Sequence, residues 1–81
     1  MRNINILVAE DEAPIREGLI DALEGEGYGA IGASDGESAV RLFRQKKIDL
    51  VILDIMMPGV NGYDACKQIR SISEEVPIIM L

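Results

Sequence analysis

Eighty-one residues, 48% of them hydrophobic and 27% charged, suit one small globular domain and exclude a disordered chain. A net charge of −6 argues against a nucleic-acid surface in this segment and favours cations or basic partners. With no histidine present, imidazole bases, Ser-His and Cys-His machinery and histidine metal sites are all ruled out.

The chain starts MRNINILVAED, whose apolar stretch is too short for a signal peptide and runs straight into acid. No later segment approaches the ~20 apolar residues of a membrane span, so a cytoplasmic, membrane-free protein is expected. Ile4 to Ala9 predicts a buried strand. Pro14 suits the first turn of a helix, and Ile15, Leu19, Ala22 and Leu23 recur at helical spacing as its inward face. Gly25 and Gly27 end that helix, and Tyr28 to Ala33 forms a weaker, glycine-broken second strand.

Ser34-Asp35-Gly36-Glu37 has capping-box spacing, which predicts Ser34 as N-cap with Glu37 reaching back. Ala39, Val40 and Phe43 give the second helix its core face, and Lys46 and Lys47 fall in its last turn, where cations offset the dipole. Asp49 to Leu53 is a continuous apolar run after its first residue, the pattern of a parallel strand covered on both faces. A third helix follows from about Asn61 to Ile72, and Cys66 within it is a small packing residue rather than a reactive thiol. As the sole cysteine it forms no internal disulfide and fits a reducing compartment. Pro77 to Leu81 reads as a fourth strand. The order βαβαβαβ with short connections predicts one α/β domain over residues 1–81, a parallel sheet with helices on both faces.

In such sheets ligands bind beyond the carboxyl ends of the strands. Strand one runs into Glu10, Asp11 and Glu12, and strand three into Asp54. If those strands are neighbours, Glu10, Asp11 and Asp54 share one pocket, while Glu12 merely favours the start of helix one. Like charges ~4 Å apart repel by about 1 kcal/mol in water and by about 4 kcal/mol at an effective dielectric of about 20. The cluster therefore calls for a divalent cation, and an all-oxygen donor set selects a hard one, Mg²⁺ ahead of Ca²⁺. An aspartate can itself be a nucleophile that forms an acyl phosphate, which poises Asp54 for phosphoryl transfer. Pro58, Gly59 and Gly62 shape the loop beyond it. Met56 and Met57 suit packing, although the Met56 carbonyl is near enough in sequence to be a further oxygen ligand.

ILVAEDE, SDGESA, LVILDIMMPGVNG and VPIIML together resemble the receiver domain of two-component response regulators, over all 81 residues. The resemblance implies a flavodoxin-like (CheY-like) sheet of order 2-1-3-4-5, truncated here after its fourth strand. It implies Asp54 as phosphoacceptor, Asp11 as a direct Mg²⁺ ligand, Glu10 as a ligand through water and Met56 as a carbonyl ligand. A sensor histidine kinase is the implied phosphodonor, and the domain is a phosphorelay component rather than a turnover enzyme. Any DNA-binding role falls to an output domain outside this segment. The family's hydroxyl residue past strand four, and its lysine and switch aromatic on or after strand five, fall beyond Leu81. Lys46, Lys47 and Lys67 lie on helices and cannot take that lysine's place. Impaired phosphorylation and output are therefore expected of this segment alone.

Other functions fit less well. An aspartate-dependent phosphohydrolase usually carries an acid two residues beyond its nucleophile, where this chain has Met56. A flavin or nucleotide site needs a Gly/Ser/Thr-rich cradle after strand one, where this chain has Glu10-Asp11-Glu12. The remaining alternative is a catalytically silent piece that self-associates. Its fourth strand is expected to be buried on both faces yet lacks a following neighbour, so a homodimer through that edge is the expected assembly.

Overall fold

The computed structural model describes residues 3–81, so the first two residues of the amino-terminal stretch MRNINILVAED lie outside the described residues. Its elements alternate as β1 (Asn5–Ala9), α1 (Ala13–Gly25), β2 (Gly29–Ala33), α2 (Gly36–Gln45), β3 (Leu50–Leu53), α3 (Gly62–Ile72) and β4 (Ile78–Met80). All pairings are parallel and the sheet order is β2-β1-β3-β4, the first four positions of the order the resemblance implied. Among the described residues no helix is long and apolar enough to cross a membrane.

The apolar runs of β1 and β3 put these strands at the centre, where both faces need cover. Leu7, Ala9, Val51 and Leu53 point to one face and form a core with Ala39, Val40 and Phe43 of α2 and Ala65 and Ile69 of α3. Cys66 packs half-buried against the same core, as its small size suggested. Ile6 and Val8 face the other way, where α1 lies against β2 and β1. Burial on that second face decreases outward: Val8 is buried, Ile52 half-buried and Ile79 48% exposed. Strand four is thus not buried on both faces, because α1 lies over β2 and β1.

Helix α1 corrects the predicted inward face. Ile15 is 45% exposed and Ala22 exposed, whereas Leu19 and Leu23 are half-buried. Ile20, absent from that pattern, instead reaches over Gly32 of β2. Its end agrees better: Gly27, at φ 93°, turns the chain while its N–H and that of Tyr28 donate to the Glu24 and Leu23 carbonyls.

The second helix corrects its predicted cap. Asp35 is the N-cap, its Oδ1 accepting from the Ser38 N–H at 2.7 Å, and Ser34 lies outside the helix. A carboxylate facing the helix N-terminus gains from the dipole as well as the hydrogen bond, which favours Asp35 over the neighbouring hydroxyl. The helix ends at Gln45, so Lys46 is an extended C-cap, Lys47 lies beyond, and Arg44 is the cation of the last turn. Helix α3 starts as expected, with Asn61 capping the Asp64 N–H at 3.0 Å. Asp49 precedes β3 rather than belonging to it. Its carboxylate accepts from the Asn5 N–H at 2.9 Å and its N–H donates to the Asn5 carbonyl at 2.8 Å, which ties the amino ends of β1 and β3 together.

Candidate functional site

Register decides what stands at the carboxyl edge of the sheet. Ala9 pairs with Leu53 and Ala33, the Asp54 N–H donates to the Ala9 carbonyl at 2.9 Å, and the Glu10 N–H donates to the Ala33 carbonyl at 3.0 Å. The residues after β1 and β3 therefore leave the sheet side by side. Glu10, Asp11 and Asp54 each offer a carboxylate oxygen, and these oxygens lie within 4.8 Å of one another.

The three acids have different surroundings. Glu10 is 5% exposed, Asp54 half-buried and Asp11 exposed. Glu10 Oε2 accepts from the Glu12 N–H at 3.0 Å, which fixes its carboxylate inside the β1–α1 turn. Burial pushes its pKa above the ordinary carboxylate value, and the adjacent Asp11 and Asp54 push it the same way against the Glu12 hydrogen bond. A group that binds its proton more tightly when folded loses stability as pH rises through the window above its ordinary 4.5. The apo pocket thus holds more negative charge than it can comfortably carry.

Asp54 Oδ1 accepts from the Met56 N–H at 3.2 Å, so the turn after β3 orients the carboxylate. The two methionines differ: Met57 is core, but Met56 is 80% exposed and does not pack as expected. Gly59, at φ 70°, makes the turn that Pro58 leads into. Gly62 meets a closer constraint, since a Cβ there would stand 2.3 Å from the Asp54 carbonyl oxygen and 2.6 Å from Ile55 Cα. Gly36 is similarly pressed, its missing Cβ falling on the Val60 carbonyl, so the loop from Asp54 to Asn61 lies between the starts of α2 and α3.

Oxygen donors alone, crowded and carrying like charge, fit a hard divalent cation and not a soft one. Glu12 stays outside the cluster, as N-cap of α1 without a side-chain capping bond. Sequence reasoning missed Arg16, whose guanidinium donates to the Glu10 carbonyl at 2.8 Å and the Asp11 carbonyl at 3.4 Å. No local pattern reveals a contact that depends on a helix lying over β2.

A parallel sheet of this order with an acidic pocket at its carboxyl edge defines a CheY-like, flavodoxin-type signalling domain. The family model for the response regulator receiver domain matches residues 6–81, and the chain belongs to that family. Similar curated proteins include the probable transcriptional regulator ycf27 of Guillardia theta, 53% identical over 94% of this chain and 30% of that protein. Another is the DNA-binding response regulator MtrA of Mycolicibacterium paratuberculosis, 45% identical over 94% of this chain and 33% of that protein. The chain thus spans about a third of the length of the curated relatives it matches.

Solved structures agree. The response regulator TrrA of Thermotoga maritima, in complex with Mg²⁺-BeF, superposes with a TM-score of 0.91 at 43% identity, covering 95% of this chain and 67% of that one. Vibrio cholerae chemotaxis protein CheY4 gives a TM-score of 0.94 at 28% identity, over 98% of this chain and 68% of that one.

Proposed function

We propose that Asp54 is the phosphoacceptor of a two-component response regulator and that Glu10, Asp11 and the Met56 carbonyl help it hold Mg²⁺. One observation carries this: the carboxylate oxygens of Glu10, Asp11 and Asp54 stand within 4.8 Å of one another at the carboxyl edge of a receiver sheet. Asp11, exposed, suits direct coordination, and the buried Glu10 suits a bond through water. The TrrA complex with Mg²⁺-BeF, at 43% identity, supports the choice of metal. When bound, Mg²⁺ supplies positive charge against the oxygens of an incoming phosphoryl group.

The chain's own part is nucleophilic. An Asp54 carboxylate oxygen attacks the phosphorus of a phosphohistidine on a sensor kinase, or of a small acyl phosphate. The new O–P bond forms as the P–N or P–O bond breaks. The departing nitrogen or oxygen keeps the electron pair, and an imidazole takes a proton from solvent. The Met56 N–H orients the carboxylate for this attack. The product, an aspartyl phosphate, is a signalling state rather than a released product, so this is no turnover enzyme. In a whole regulator the signal would pass to an output domain; the similar MtrA is a DNA-binding response regulator and ycf27 a probable transcriptional regulator, which favours a transcriptional output. Incubating the full chain with acetyl phosphate and Mg²⁺ tests the reading. Intact mass should rise by one phosphoryl group, and no gain would reject it.

A second reading concerns residues 1–81 as an isolated polypeptide. Ile79 and Leu81 are exposed, and among the described residues β4 pairs only with β3. In isolation this segment would self-associate through β4.

A further inference from the structure

Arg16 lies in the second turn of α1, half-buried, and its Nη1 donates to two consecutive backbone carbonyls, Glu10 at 2.8 Å and Asp11 at 3.4 Å. Those two residues carry two of the three clustered carboxylates. Because both bonds go to backbone oxygens, the carboxylates keep their charge for a cation. Arginine suits this position because it spreads several N–H donors across a rigid plane.

The seat for its stem is equally specific. A Cβ on Gly32 would stand 3.0 Å from Arg16 Cδ, 3.3 Å from Arg16 Cγ and 2.9 Å from Ile20 Cδ1. A bare backbone at this point of β2 lets the methylenes lie closely against the sheet, and a side chain there would press on them. Gly32 pairs in register with Val8, one residue before the carboxyl end of β1, so a stem resting there delivers its head to the β1–α1 turn. We infer that Arg16, seated on Gly32, is a positioning residue for the pocket. It holds the backbone of Glu10 and Asp11 so that their carboxylates face Asp54 at the spacing a divalent cation needs. This inference rests on the metal-binding function proposed above.

Sign separates positioning from plain electrostatics. If Arg16 acted only as a nearby positive charge, removing it would tighten Mg²⁺ binding, because one cation would no longer repel another. If it positions the ligands, removing it weakens binding, by about 10–100-fold as for other groups that orient metal ligands. The test is Mg²⁺ titration calorimetry on the full chain, at a temperature where melting curves show every variant folded. Wild type is compared with Arg16→Gln, Arg16→Lys, Gly32→Val and Asp11→Ala.

Arg16→Gln should bind Mg²⁺ at least ten-fold more weakly, with Arg16→Lys between it and wild type because an ammonium still reaches one carbonyl. Gly32→Val displaces the stem without touching the guanidinium, and should weaken binding in the same direction. Combining it with Arg16→Gln should add little, since both act through one contact. Unchanged or tighter binding in Arg16→Gln, while Asp11→Ala loses it, would overturn the positioning role and leave the phosphoacceptor function standing. Should Arg16→Gln fail to fold, Gly32→Val decides, and wild-type affinity there overturns the inference. A wild type that binds no Mg²⁺ would overturn the metal-binding function and this inference together.

Discussion

The Asp54 N–H donates to the Ala9 carbonyl at 2.9 Å, which continues the β1–β3 ladder and leaves Glu10 and Asp54 side by side where the two strands end. A slip of register along either strand would carry the carboxylates apart. The pocket therefore depends on the pairing of two apolar strands, and the crowding it creates has measurable consequences.

Asp54→Asn should abolish covalent phosphate, because it exchanges the nucleophilic carboxylate for an amide of nearly the same shape. Phosphoryl label surviving on that variant would sink the assignment. The same exchange removes one of three mutually repelling charges, so the metal-free protein should gain stability on the order of 1 kcal/mol. Thermal melts in chelator give the sign, and a lower melting temperature would mean that the carboxylates do not repel as argued.

Asp11→Ala should weaken Mg²⁺ binding more than Glu10→Ala. Asp11 is exposed and is the proposed direct ligand, whereas Glu10 is buried and binds its proton more tightly than usual. Equal losses in calorimetry would reject that distinction.

Asp35→Ala should cost about 1 kcal/mol, the usual loss of an N-cap. The Ser38 N–H and hydroxyl hold the Asp35 carboxyl below its ordinary value of 3.8. A depressed acid contributes stability that is present above that value and disappears as pH falls through the folded pKa. The gap between wild type and Asp35→Ala should therefore be full at neutral pH and close in acid. A gap independent of pH would mean that the cap acts through shape alone.

What the sequence disclosed depended on how local each signal was. The central strands were legible because Ile6 to Ala9 and Leu50 to Leu53 are unbroken apolar runs, and the acids that follow them mark the carboxyl edge. The cap of α2 was misplaced by one residue because Ser34 and Asp35 are both good caps, and only backbone geometry distinguishes them. Met56 and Met57 are chemically identical neighbours, so nothing but the loop's path could send one into the core and the other into solvent. Arg16 was illegible for a further reason: its contact with the β1–α1 turn depends on a glycine sixteen residues away on another strand.

For residues 1–81 alone, Ile79→Lys should reduce self-association seen by light scattering over a dilution series, since it puts a charge in the middle of the exposed face of β4. A monomer at high concentration would refute the dimer. A dimer indifferent to the substitution would place the seam elsewhere.

Gly62→Ala offers the sharpest test of how the phosphoacceptor loop is held. The residue opens α3, where alanine is intrinsically the better helix former by about 1 kcal/mol, so propensity alone predicts a more stable protein. Packing predicts the reverse. The added methyl would stand 2.3 Å from the Asp54 carbonyl oxygen and 2.6 Å from Ile55 Cα, both backbone atoms that cannot rotate away. Relief requires the loop to move, and overpacking of this kind typically costs about 1–3 kcal/mol. The loop also carries the Gly62 N–H bond to the Ile55 carbonyl, 3.0 Å long, so movement strains the turn that follows Asp54. Gly62→Ala should therefore lower the melting temperature and, by shifting the Asp54 backbone, reduce Mg²⁺ affinity as well. A variant as stable as wild type with unaltered Mg²⁺ binding would show that the loop yields freely, and that the glycine is not what sets the position of Asp54.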